Sequence, residues 1–125
     1  IIMKSFLLVF LGGGLGSSLR YLIASVMNQY SKVLPYGTFT VNMLGCLLIG
    51  LILGYAQKEN TLTSNQTLLL ATGFCGGFTT FSAFANENLE LIKNGEIFNF
   101  SIYAIGSVFL GIVLILIGYL LVNKL

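Results

Sequence analysis

Gly73-Phe74-Cys75-Gly76-Gly77-Phe78-Thr79-Thr80-Phe81-Ser82-Ala83-Phe84 lies inside an apolar run that would otherwise read as one continuous membrane helix. Each glycine costs a helix about 1 kcal/mol relative to alanine. In a bilayer no water replaces the backbone hydrogen bonds that adjacent glycines and a Thr-Thr pair weaken. The stretch therefore predicts a helix broken near its middle, with carbonyls released around Gly76 to Thr79. Phe81 and Phe84 stand three residues apart and share a face if helix resumes after the break.

Outward from that stretch the composition sets the class. The 125 residues are 56% hydrophobic and 8% charged, which fits one domain of a membrane protein and no soluble globular chain. There is no His, Trp or Asp; Lys4, Arg20, Lys32, Lys58, Lys93 and Lys124 stand against Glu59, Glu87, Glu90 and Glu96. Basic residues so dispersed leave no footprint for nucleic acid. Cys46 and Cys75 fall in apolar segments and are expected to behave as small hydrophobes, without a disulfide or a metal. Lys4 and the apolar run after it have the form of a secretory leader, but three more apolar segments follow, so a retained first span is expected, with Met3 as its natural start.

The expected fold is an all-α integral membrane protein with four spans, at about 5–27, 39–56, 67–92 and 97–122, each able to cross a ~30 Å hydrocarbon core. In the first span Gly12 and Gly16 have the small-xxx-small spacing that lets another helix approach. Arg20, later in the same span, is costly unless it snorkels or pairs. A polar connection over 28–37 carries Lys32 and the only proline, Pro35. In the second span Thr38, Asn42, Gly45 and Cys46 form a small polar stripe. Residues 57–66 are polar and lack a turn-forming glycine. The third span ends in Asn86, Glu87, Asn88 and Glu90, and Lys93-Asn94-Gly95 leads to a fourth in which Tyr103, Ser107 and Gly111 recur at every fourth position.

Four spans place both termini on one side. Lys4, Lys58 and Lys124 then balance Lys32, Lys93 and Arg20, and a chain without positive-charge bias is expected to insert in both orientations. Four short helices enclose little space for an aqueous path. A dual-topology antiparallel homodimer satisfies both observations.

No catalytic constellation is present: the spans carry no His or Asp, and their only intramembrane acid is Glu87, near a helix end. The polar inventory is one of neutral donors and rings: Thr38, Asn42, Thr79, Thr80, Ser82, Tyr103, Ser107, Phe81 and Phe84. Ring edges are positive and favour an anion, and the Asn42 amide supplies a donor. Carbonyls released between Gly76 and Thr79 suit a cation of sodium size. Each feature has a plainer alternative: phenylalanines that pack or face lipid, an asparagine that glues helices, Ser107 and Gly111 that permit close contact, and Arg20 and Glu87 that anchor or pair.

In combination, the broken stretch with Gly37-Thr38-Phe39-Thr40-Val41-Asn42 and Gly16-Ser17-Ser18-Leu19-Arg20-Tyr21 resembles the CrcB/Fluc fluoride channel family across essentially the whole chain. The resemblance implies a dual-topology dimer in the bacterial plasma membrane, with two antiparallel pores that discharge fluoride passively. It assigns Phe81 and Phe84 to the pore lining, Asn42 to the pore asparagine, and Ser107, Tyr103 and Thr38 to the anion path. Thr80 and Ser82 join a hydroxyl track there, and Glu87 is its carboxylate. It further implies a central structural sodium ion, Na+, held by the Gly76 and Thr79 carbonyls, and a vestibule position for Arg20. Ala83 and Gly111 depart from the hydroxyl-bearing residues common at those positions. The partner is a second copy or a homologous subunit. The competing readings are a small dual-topology multidrug exporter, which should carry an acid in its first span, and a non-conducting assembly subunit.

Overall fold

A computed structural model describes residues 1–30, 33–58 and 61–124. Lys32, Glu59 and the side chain of Lys124, which entered the charge tally, lie outside the described residues. Among the described residues there is no strand, and four helical stretches are long and apolar enough to cross a membrane.

The first helix, α1, spans Ile2–Met27 and closes in a single tight turn over Asn28–Tyr30. The second, α2, spans Tyr36–Gln57. It starts at Tyr36 rather than near 39 because Asn28 Oδ1 accepts the Gly37 N–H at 2.9 Å and satisfies a first-turn donor that has no partner within the helix.

The third stretch, α3, covers residues 64–78 and begins at Ser64 rather than near Thr67. The reason is a capping box inside the polar connection: Thr63 Oγ1 accepts the Gln66 N–H at 3.1 Å, and Gln66 Oε1 accepts the Thr63 N–H at 2.9 Å. One α turn at Ser64–Thr67 gives way to a π-helical segment, Leu68–Cys75, and then to a last α turn, Gly76–Phe78. At Thr79 the backbone becomes extended, with ψ 158°. Helix resumes as α4, Ser82–Lys93. Gly95, at φ 75°, makes the turn into α5, Ile97–Lys124.

Two seams hold the helices together. Along α1 and α3, Gly12 and Gly16 are buried against backbone: a side chain at Gly16 would run into the Phe74 carbonyl, and one at Gly12 into that of Leu69. Along α2 and α5, Gly50 abuts the Ile115 carbonyl. Between the seams lie the buried side chains Thr38, Val41, Cys75, Phe78, Tyr103 and Ser107. The outer faces are large apolar side chains such as Phe6, Phe10 and Phe109, as a lipid solvent allows.

Candidate ion path beside the broken helix

The break is built by side chains that take over the backbone's hydrogen bonds. The Thr79 N–H and hydroxyl both donate to the Cys75 carbonyl, at 3.0 and 2.9 Å, and end α3. The Thr80 N–H donates to Asn42 Oδ1 at 2.7 Å, and Asn42 Nδ2 donates to the Thr80 carbonyl at 3.1 Å. Thr80 Oγ1 accepts the Ala83 N–H at 3.2 Å and so caps the first turn of α4. A continuous helix would bring the N–H groups of Thr80 and Ala83 to the carbonyls of Gly76 and Thr79, and both donors are bonded elsewhere.

Gly77 corrects the expectation of a row of released carbonyls. Its oxygen accepts from Arg20 Nε at 3.0 Å and from Ser17 Oγ at 3.3 Å. Arg20 thus meets the cost of its place in an apolar span by a charge-assisted bond to the break. The Gly76 and Thr79 carbonyls belong to an exposed and a half-buried residue on the side lined by a groove. As hard oxygen donors without their helical partners, they fit a hard monovalent cation.

A second cluster joins three elements. Thr38 Oγ1 on α2 donates to Glu87 Oε2 at 2.5 Å, and the Tyr103 hydroxyl on α5 donates to Glu87 Oε1 at 2.9 Å. Glu87 lies midway along α4 and is held by two hydroxyls, instead of anchoring a helix end. Thr38 and Tyr103 are buried.

Rings connect this cluster to the break. The Phe84 ring meets Tyr103 edge to face, with centroids 5.0 Å apart at 61°, and lies 5.8 Å from Phe81 at 55°. Phe81 is 77% exposed, its outer face left uncovered by the described residues. Ser82 Oγ lies 3.3 Å from Thr80 Oγ1. Asn42, Thr80, Phe81, Phe84, Ser107 and Gly111 all border a groove of about 380 Å³. Ser107 Oγ is buried with no hydrogen-bond partner among the described residues. Glu87 borders a second cavity, of about 250 Å³, together with Asn28, Glu90 and Glu96. Most residues singled out in the sequence therefore converge, from Asn42 at one end to Glu87 at the other. Arg20 stands apart, across the break on α1.

Two contributors were not foreseen. Nothing in the sequence singles out Ser17, whose hydroxyl, one residue after Gly16, reaches the Gly77 carbonyl. Asn88 reads as part of a polar helix end but is buried, donating to the Phe84 carbonyl at 2.9 Å.

The profile of the family described as "CrcB-like protein, Camphor Resistance (CrcB)" matches residues 7–119, a range that contains every residue of the break, the groove and the Glu87 cluster. The chain belongs to the CrcB family. This CrcB chain is 46% identical over 124 residues, covering 98% of it and 100% of the relative, to a "Fluoride-specific ion channel FluC" of Flavobacterium psychrophilum. It is 50% identical over 117 residues to one of Phocaeicola vulgatus, at 93% and 96% coverage. A third, of Prosthecochloris aestuarii, is 48% identical over 112 residues, at 90% and 88% coverage. With its four apolar helices the CrcB chain is a multi-pass membrane protein, and its relatives are named as channels, not as enzymes.

Proposed function

We propose that this CrcB protein is a fluoride-selective passive channel that releases fluoride across the bacterial plasma membrane. It acts as a dual-topology antiparallel dimer with two pores and a structural sodium ion between the two breaks. The observation that carries this reading is that Asn42, Ser107, Phe81 and Phe84 border one groove, and that Phe84 meets, edge to face, Tyr103, whose hydroxyl donates to Glu87. The relatives named as fluoride-specific channels supply the ion.

Fluoride leaves water only where other hydrogen-bond donors meet it. Asn42 spends one N–H on Thr80 and keeps the other. The unpartnered Ser107 hydroxyl lies along the same groove, and the edges of Phe81 and Phe84 supply weak positive charge between polar stations. Further along, fluoride competes with Glu87 for the protons of Tyr103 and Thr38. One hydroxyl can turn its proton to the ion while the other still donates to Glu87, so the carboxylate keeps one of its two donors as the ion passes.

Sodium, when bound, would supply a fixed positive charge, and the Gly76 and Thr79 carbonyls are the groups that would hold it. Arg20 keeps the Gly77 carbonyl turned toward α1 and out of that set. Phe81, exposed in one chain, is covered in the dimer.

The test is efflux from liposomes containing the purified protein. Fluoride is released while chloride stays trapped; equal release of both, or of neither, overturns the reading and returns the exporter or the assembly subunit.

A further inference from the structure

Arg20 Nε donates to the Gly77 carbonyl at 3.0 Å, from the α1 side of the break. Gly77 follows Gly76 in the last turn of α3, so the half-buried guanidinium stands one peptide unit from a carbonyl assigned to the cation. The approach is close along the whole turn: a Cβ on Gly77 would run into the Gly13 carbonyl and the Ser17 hydroxyl, both on α1. No acid neutralises Arg20. Among the described residues the one ion pair joins Lys93 to Glu90, and the Glu87 carboxylate is taken by Thr38 and Tyr103. Neither α1, nor α2, nor the chain from 60 to 86 contains an Asp or Glu. The break is thus surrounded by neutral dipoles and one fixed positive charge.

We propose that Arg20 determines the valence of the cation at the break: its charge keeps the site monovalent and keeps calcium out. This inference rests on the cation site of the proposed function. Sodium and calcium ions are close in radius and both take oxygen donors, so the Gly76 and Thr79 carbonyls do not tell them apart by size. Calcium is ordinarily held by carboxylates that offset its charge. Here there are none, and Arg20 adds a repulsion that scales with the product of the charges. At one position it opposes calcium twice as strongly as sodium, whatever the distance and the dielectric. Arg20 touches neither the Gly76 nor the Thr79 carbonyl; it acts on the site by its charge, across the turn Gly76–Phe78. Removing that charge multiplies the sodium affinity by some factor and the calcium affinity by the square of that factor.

The experiment uses the full-length protein in detergent, exchanged into N-methylglucamine chloride, and reads the midpoint of thermal unfolding as sodium chloride or calcium chloride is titrated in at constant ionic strength. Wild type is expected to be stabilised by sodium at concentrations where calcium has no effect. A wild type that responds to calcium as readily as to sodium overturns the proposal, even if every Arg20 variant fails to fold. Arg20→Gln keeps a donor for the Gly77 carbonyl and loses the charge; its half-saturation is expected to fall about tenfold for sodium and about a hundredfold for calcium. Arg20→Lys, which keeps the charge, retains the wild-type preference. So does Ser17→Ala, which removes the other bond to the Gly77 carbonyl without touching the charge. An unchanged ratio of the two affinities in Arg20→Gln, or an equal shift of that ratio in Ser17→Ala, overturns the proposal and leaves the cation site in place. A wild type that gains nothing from sodium sinks the cation site itself, and the proposal with it.

Discussion

Asn42 on α2 and Thr80 in the break exchange two hydrogen bonds, 2.7 Å from the Thr80 N–H to Oδ1 and 3.1 Å from Nδ2 to the Thr80 carbonyl. One side chain thereby replaces both backbone bonds that Thr80 forfeits by leaving the helix. The same bonds deny Gly76 its ordinary helical donor, so the shape of the break and the candidate cation site depend on a residue from another span.

Asn42→Leu leaves the Thr80 N–H and carbonyl without partners in an apolar span, which costs about 1–3 kcal/mol for each such group. The expected outcome is a lowered midpoint of thermal unfolding in detergent and loss of fluoride efflux. Asn42→Asp keeps the acceptor but sets a carboxylate against the Thr80 carbonyl. Its stability falls between those of wild type and Asn42→Leu.

Gly16 and Gly14 lie on the same helix and should respond oppositely to alanine. A methyl at Gly16 meets the Phe74 carbonyl, a rigid backbone atom, while a methyl at Gly14 meets nothing within 4 Å. Gly16→Ala is expected to lose about 1–3 kcal/mol through overpacking. Gly14→Ala gains up to about 1 kcal/mol from helix propensity. Thermal unfolding of the two variants side by side decides it.

Phe84 and Phe81 should separate stability from conduction. Phe84→Ile forfeits the edge contact with Tyr103, worth about 0.5–1.5 kcal/mol, and reduces flux. Phe81, whose ring is 77% exposed in one chain, loses little stability within that chain on replacement by isoleucine, yet its flux falls as well. Unchanged flux in both variants would remove the ring-edge account.

Tyr103→Phe and Thr38→Val each take one donor from the Glu87 carboxylate, at about 1.5–3 kcal/mol for a bond to a charged group. Because both bonds end on one carboxylate, the double variant should depart from the sum of the singles by about 0.5 kcal/mol or more. A double-mutant cycle on unfolding midpoints, with fluoride efflux measured in parallel, checks both the coupling and its functional weight.

Replacing sodium by a bulky organic cation throughout purification is expected to lower dimer content on size exclusion and to reduce efflux, with recovery on adding sodium back. Full activity after exhaustive exchange would count against Gly76 and Thr79 as cation ligands.

The four spans and the break were legible because they depend on local chemistry. Apolar run length sets the spans, and Gly76-Gly77 with Thr79-Thr80 weakens the helix wherever its neighbours lie. The stripes Thr38–Asn42 and Tyr103–Ser107 were legible as faces, since helical spacing alone aligns them. What they face was not. Glu87 read as a residue near a helix end until α2 and α5 supplied its two hydroxyls, and Gly77 read as one more released carbonyl until α1 delivered Ser17 and Arg20. The π-helical winding of Leu68–Cys75 has no local signature, and it occurs where Gly73 packs on Gly12 of α1.

By itself, then, the sequence determined a four-span membrane protein with a weak point at residues 76–80, because composition and backbone propensity act over a few neighbouring residues. Only the tertiary structure decided which carbonyls of that weak point are taken and which lack their helical donors. Arg20 claims Gly77 and Asn42 claims Thr80 from helices far away in the chain, and a hydrogen bond across that separation exists only once the spans have packed.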